Sequence, residues 1–156
     1  MMNRLLVRSR EQIAEVWDDS SFVKSYRIST ARKGLGNDYG SLCTPKGRLR
    51  VAQKIGECSP IGTVFRRRVA SGEVWSCNPS NPLFASREDL VLTRILWLTG
   101  DEPGNLNTFF RYIYLQGTNR EGLIGVADST GSIRFLNEDI IEIFDLLEEG
   151  ALVEII

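Results

Sequence analysis

The 156-residue chain contains no histidine. That absence removes the one side chain with an unperturbed pKa near neutrality, so no Ser–His or Cys–His catalytic pair can form. Cysteine is scarce as well: Cys43, Cys58 and Cys77 are odd in number, widely spaced and without a CxxC arrangement. They suit neither a disulfide framework nor a thiolate metal site, and no metal or cofactor is expected. Charge of one sign is also missing. With 19 basic and 20 acidic residues the net charge is −1, which leaves no field to draw nucleic acid or a membrane surface. The one basic run, Arg66-Arg67-Arg68, reads as a solvated strand edge or turn. No stretch approaches the roughly 20 apolar residues of a membrane span. The opening Met1-Met2-Asn3-Arg4-Leu5-Leu6-Val7-Arg8 lacks the apolar core and cleavage site of a secretory leader. A cytoplasmic protein with no nucleic-acid or membrane partner is expected.

What is present is ordinary globular composition, 42% hydrophobic and 25% charged, enough to bury a core as one domain over residues 1–156. Most of the pattern is strand-like: 4–8, 22–29 with its alternating Phe22, Lys24, Tyr26 and Ile28, 49–55, 62–68, 90–98, 112–115 and 152–156. Residues 12–17 are ambiguous between strand and short helix. The segments 18–21, 31–44 and 76–82 read as turn or loop, the last because two prolines exclude regular structure. One helix is clear. Asn137 suits its N-cap, Glu138 and Asp139 its first turn, Ile140, Ile141, Phe144 and Leu147 keep helical spacing, and Gly150 ends it. The fold class is therefore mainly β, a β-rich α+β domain with a late helix.

Two segments invite a chemical reading: Tyr112 to Asn119, and Ser129-Thr130-Gly131-Ser132-Ile133-Arg134 leading into the helix. A small, hydroxyl-rich turn before a helix presents N–H groups and hydroxyls to one spot, although a plain turn with a capped helix accounts for the same residues. Several ordered blocks resemble the L,D-transpeptidase (YkuD, ErfK/YbiS) catalytic-domain family, in its short cytoplasmic type without a signal sequence. Ser29-Thr30-Ala31-Arg32-Lys33-Gly34-Leu35-Gly36 resembles the family's STAKNGLG stretch. Gly40-Ser41-Leu42-Cys43-Thr44-Pro45-Lys46-Gly47 resembles its GS.CTP.G block. Leu92 to Leu98, Tyr112 to Asn119, Asn137 to Leu146 and Val153-Glu154-Ile155 come next in order. The resemblance implies a β-sandwich or barrel with one C-terminal helix after an active-site-like turn. It also implies acyl transfer on peptidoglycan stem peptides by a cysteine nucleophile with a histidine base, through an HGT segment and an SHGC.R segment.

At the chemistry-bearing positions this chain departs from that pattern. Gln116, before Gly117 and Thr118, stands in place of the first histidine. Thr130 replaces the second histidine and Ser132 the nucleophilic cysteine, while Ser129, Gly131 and Arg134 remain. Leu49 occupies a position where short members carry a further histidine. A serine hydroxyl ionises far less readily than a thiol and needs a positioned base, which Gln116 and Thr130 cannot supply. The leading expectation is a pseudo-enzyme that keeps a groove for a muropeptide or stem peptide. Arg134 would hold a ligand carboxylate through its guanidinium or, alternatively, bridge the loop to the helix. Two other readings stay open: a serine-dependent L,D-carboxypeptidase or transpeptidase acting through Ser132, and a structural or assembly partner of an active paralogue, its pocket collapsed around Leu49.

Overall fold

A computed structural model describes residues 2–156. Ten strands form one continuous sheet: β1 (Asn3–Arg8), β2 (Ile13–Asp18), β3 (Ser21–Ser29), β4 (Gly47–Ile55), β5 (Thr63–Arg66), β6 (Val69–Val74), β7 (Val91–Gly100), β8 (Tyr114–Thr118), β9 (Ile133–Phe135) and β10 (Leu152–Ile155). The helix α1 spans Asn137–Leu146. The strand order is β4-β10-β1-β2-β3-β9-β8-β7-β5-β6, and β4 also pairs with β7. That extra pairing closes eight strands into a barrel, with the β5–β6 hairpin branching from β7. Closure removes the open edges that a flat sheet would leave.

Alternation puts the inward-facing residues of the eight barrel strands into one core, among them Leu5, Val16, Ile28, Leu49, Leu98, Leu115, Phe135 and Val153. Helix α1 adds Ile140, Ile143 and Phe144 to the same core, and Leu147, just past its end, follows them, close to the apolar positions that the spacing predicts. Leu49 is fully buried there, opposite Val153 and Gly100, so its side chain closes no outer pocket. On the outer side of β7 and β8 a smaller cluster of Phe65, Ile95, Trp97 and Tyr114 is covered by Phe109.

The ambiguous segment 12–17 is strand β2. The three-arginine run is the tight β5–β6 turn, with Arg67 and Arg68 at φ 50° and 66°, the left-handed conformation that two-residue hairpins need. The return strand β6 has no counterpart in the sequence reading, because Val69 to Val74 lies on the surface and carries little alternation.

The helix termini also differ from expectation. Leu136 is the N-cap and Asn137 the first helical residue, because Asn137 is used otherwise. Its Oδ1 accepts from Thr93 Oγ1 at 2.5 Å, its Nδ2 donates to the Thr118 carbonyl at 2.8 Å, and its backbone N–H donates to the Glu121 carboxylate at 2.8 Å. Buried between β7, β8 and the helix, this amide fastens three elements. The helix stops at Leu146, and Gly150 turns the chain at φ 88° into β10. No helix among the described residues is long and apolar enough to cross a membrane.

Candidate active site

The parallel β8–β9 register pairs Leu115 with Ile133, Gln116 with Arg134 and Gly117 with Phe135. Since Leu115, Ile133 and Phe135 face the barrel core, alternation sends Tyr114, Gln116, Thr118, Ser132 and Arg134 to the opposite face. The residues singled out from the two segments are thus gathered on one surface by a single register.

The turn before β9 is held by the blocks that precede it in sequence. Ala31 bridges Ser129, Arg32 N–H donates to the Ser129 carbonyl, and the N–H groups of Asp128 and Ser129 both donate to the Thr30 carbonyl. Thr44 Oγ1 donates to the Gly131 carbonyl at 2.8 Å and accepts from Ala31 N–H at 2.9 Å. Ser129 closes the turn on itself, its hydroxyl donating to the Ser132 carbonyl at 2.5 Å and accepting from Gly131 N–H at 3.2 Å. Gly131 sits at φ 139°, where a Cβ would come within 3.1 Å of Ile113 and 3.3 Å of the Cys43 carbonyl. Only glycine meets both conditions without strain.

Ser132 is half-buried. Its Oγ accepts from Tyr114 N–H at 3.0 Å and donates toward the Tyr112 carbonyl at 3.5 Å. Both partners are main-chain groups, and no amine or carboxylate among the described residues hydrogen-bonds this hydroxyl. Thr130 is exposed, whereas Gln116 is buried with its Nε2 donating to the Gly117 carbonyl at 3.1 Å. Gln116 lies opposite Arg134, one pleat repeat along β8 from the residue bonded to Ser132. Gly117 has no room for a side chain, since a Cβ would lie 2.6 Å from the Leu92 carbonyl.

Arg134 is 1% exposed. Its two terminal nitrogens reach Asp128 and Asp89, each at 2.7 Å. Both arms of the guanidinium are therefore engaged inside the protein, tying the turn to the segment that enters β7. The bridge runs to that segment, and the helix takes no part in it. Buried as it is, the guanidinium offers a ligand carboxylate no open approach from the surface. Burial alone would push the Asp128 carboxyl up, but hydrogen bonds from Arg134 and Arg32 outweigh it and hold the group below its ordinary value.

Beside Ser132 opens a cleft of about 250 Å³ bordered by Tyr39, Leu42, Phe110, Arg111, Tyr112 and Thr130. Its rim is apolar and exposed, with Phe110 at 66% and Tyr39 at 61%. Arg111 forms the back wall and donates to the carbonyls of Gly36 and Cys43 and to Ser41 Oγ. Burial pulls this guanidinium below its usual range, although Cys43, Asp38 and Tyr39 lie close enough to oppose that. Leu42 and Tyr112 occupy the left-handed region at φ 60° and 57°, a conformation that costs free energy in residues of this size and clusters at ligand-facing positions. The apolar rim, Arg111 and the Tyr112 and Tyr114 main chain escape a sequence reading, because their roles depend on the 103–112 turns folding against the 36–43 loop. The aromatic run 109–114 is the one visible signal. Arg68, from the hairpin turn, stacks 4.8 Å from the Trp97 ring and 5.0 Å from the Tyr112 ring and donates to the Tyr114 hydroxyl.

The L,D-transpeptidase catalytic-domain model matches residues 2–155. The chain belongs to the YkuD L,D-transpeptidase catalytic-domain family. Solved structures agree on the fold. An L,D-transpeptidase from Mycobacterium smegmatis superposes with a TM-score of 0.62 at 13% identity, covering 99% of this chain and 58% of that one. L,D-transpeptidase 3 from Mycobacterium tuberculosis, in complex with a faropenem-derived adduct, gives 0.61 at 14% identity over 98% and 59% of the two chains. A Cys→Ser mutant of the Enterococcus faecium L,D-transpeptidase gives 0.57 at 15% identity over 100% and 50%. This chain spans about half to three-fifths of these relatives' lengths. Comparison with curated proteins finds no match.

The residues that the sequence resemblance sets at the motif positions fall in one region: Gln116 and Ser132 on the outward face of β8 and β9, and Thr130 in the turn that leads into β9. Among the described residues no group of three His, Cys, Asp or Glu side chains is arranged to hold a metal.

Proposed function

We propose that this chain is a non-catalytic member of its family that holds a peptidoglycan stem peptide in the cleft beside Ser132 without acylating it. The observation that carries the reading is the setting of the Ser132 hydroxyl. Its hydrogen-bond partners are the Tyr114 N–H and the Tyr112 carbonyl, and neither is a base that can take a proton at neutral pH. The chain has no histidine. A serine without a base retains at most the roughly 10³–10⁴-fold acceleration that binding and oxyanion contacts supply in a triad enzyme stripped of its nucleophile or base.

Recognition then falls to the groups still free. Thr130 is exposed at the turn, and Tyr39, Phe110 and Tyr112 line the cleft with large, stiff apolar surface. Arg134, committed to Asp128 and Asp89, contributes by fixing the turn and leaves the ligand to these other groups.

The test is chemical. A disaccharide tetrapeptide is incubated with the protein while released D-alanine and intact-protein mass are followed, and faropenem serves as a second acylating probe. Unchanged mass and no D-alanine, together with heat of binding by calorimetry, support the proposal. Steady D-alanine release, or an adduct on Ser132, abolished by Ser132→Ala, would establish a serine-dependent enzyme instead. Absence of binding heat would favour a structural role.

A further inference from the structure

A peptide held beside Ser132 brings carboxylate charge to the cleft. The Arg134 guanidinium is buried and taken up by Asp128 and Asp89, so it does not meet that charge. Arg111, in the back wall, has its terminal nitrogens on the carbonyls of Gly36 and Cys43 and on Ser41 Oγ. One more arginine reaches this region, from the β5–β6 turn.

Arg68 touches the two residues that hold Ser132. Its guanidinium carbon lies 5.0 Å from the Tyr112 ring and 4.8 Å from the Trp97 ring, and its Nη1 donates to the Tyr114 hydroxyl at 3.2 Å. Tyr112 and Tyr114 are the residues whose main chains bond the Ser132 hydroxyl, and Tyr112 also borders the cleft. Stacking on rings uses the face of the guanidinium and leaves its in-plane N–H groups available. Of these, Nη1 is engaged by Tyr114. Nε and Nη2 have no hydrogen-bond or ion-pair partner among the described residues, and neither is buried. Together they form one edge of the guanidinium, whose parallel N–H bonds match the two oxygens of a carboxylate.

The side chain is also preorganised. A surface arginine ordinarily gives up rotamer freedom when it binds, whereas Arg68 is already held by two rings and a hydroxyl. Its neighbours differ. Arg66 is paired with Glu73 and Glu88, and Arg67 is exposed, neither paired nor stacked among the described residues.

We propose that Arg68 is the carboxylate receptor of the Ser132 cleft. Its Nε and Nη2 take the two oxygens of one carboxylate of the bound peptide, whose chain runs over the Tyr112 ring into the cleft. The assignment rests on the peptide-holding function proposed above and goes further, naming the group that reads the ligand's charge.

Calorimetry with the disaccharide tetrapeptide, and with the same compound after amidation of its carboxylates, tests it. The protein should bind the acid form about tenfold tighter than the amidated one. Arg68→Gln should erase that preference, weakening the acid form about tenfold and leaving the amidated form within about twofold. Arg68→Lys keeps the charge without the planar fork and should stay about threefold weaker than the unaltered protein. Arg67→Gln controls for charge alone, with an expected change within about twofold. Thermal melts check that the variants are folded. Equal binding of the acid and amidated forms would overturn the assignment and leave the cleft as a peptide site. A preference that survives Arg68→Gln, or that Arg67→Gln weakens as much, would overturn it too. Failure of both forms to bind would remove the peptide-holding function itself, and the receptor with it.

Discussion

The inner and outer faces of β8 and β9 alternate along the same few residues, yet they answer to different demands. Inward, Leu115, Ile133 and Phe135 are fully buried and apolar in a shared core. Any family member that folds must supply something of similar volume there, since interiors are close-packed. Outward, Gln116 and Ser132, with Thr130 in the turn beside them, stand where the resemblance to the family motif puts histidines and a cysteine. Gln116 is buried and Ser132 half-buried, but none of the three belongs to the apolar core. The fold can therefore keep its shape while the site loses its reagents, and the turn around Gly131 stays fixed because Thr30, Thr44 and Ser129 hold it by its main chain. This contrast makes membership of the family compatible with the proposed loss of its chemistry.

The sharpest way to break the comparison is to cut the inner face. Phe135→Ala removes a ring at 0% exposure that lies edge-on to Tyr26, and a stability loss of about 3–5 kcal/mol in urea denaturation is expected. A loss below about 1 kcal/mol would show that β9 is not anchored through its inward side chains.

Next comes the bridge that crosses from the outer face to the rest of the fold. Arg134→Met takes the partner from Asp89 and leaves Asp128 with Arg32 at 3.0 Å, and breaking a buried pair costs about 3–5 kcal/mol. A loss nearer to about 2–3 kcal/mol is expected, because the Asp89 side chain is 35% exposed and water screens it. The same bridge sets a pH dependence. The Asp128 carboxyl is held below its unfolded value, so the folded state binds fewer protons than the unfolded one in that window. The stabilisation is complete above about pH 4 and is lost as pH falls through the folded pKa. Arg134→Met should flatten this acid limb in thermal melts between about pH 5 and 2, and an unchanged limb would assign it to other carboxylates.

How much of this the sequence disclosed follows the same division. Strands buried on one side announce themselves through alternation, as Leu152 to Ile156 does and as Tyr26 and Ile28 do at the end of β3, whereas Phe22 and Lys24 keep the same spacing and stay exposed; the helix does so through Ile140 and Phe144. The edge strand β6 does not, since nothing packs on most of its residues and no alternation is demanded. The motif residues are legible by position, and the register then puts them on one face. Their partners are not. That Arg134 meets Asp128 and Asp89, or that Ser132 meets the Tyr112 and Tyr114 main chain, depends on long-range closure of the barrel, which no local pattern encodes. Asn137 shows the limit most clearly: its residue type suits an N-cap, but three elements compete for its amide and the tertiary partners win.

Between the two faces lies Gly117, the glycine of the QGT segment. It needs no unusual backbone conformation, and its constraint is spatial: an added methyl would lie 2.6 Å from the Leu92 carbonyl and collide with the Asn137 amide. Gly117→Ala should cost about 1–3 kcal/mol through displacement of β7 or the helix start. A neutral result would mean that β7 gives way freely between Leu92 and Ile95, where its register with β8 shifts.

The smallest effect is expected at the residue that looks most important. Ser132→Ala deletes one hydroxyl and leaves the Tyr114 N–H without its acceptor, a loss of about 1 kcal/mol if that donor stayed dry. Ser132 is half-buried, so water can take the vacated place, and a change within about 0.5 kcal/mol is expected in urea denaturation. Peptide affinity in the adjoining cleft should change less than about threefold, because aromatic surface and the Arg111 wall are untouched. A larger loss of affinity with stability intact would make the hydroxyl a direct ligand contact and draw the outer face closer to the chemistry of its family.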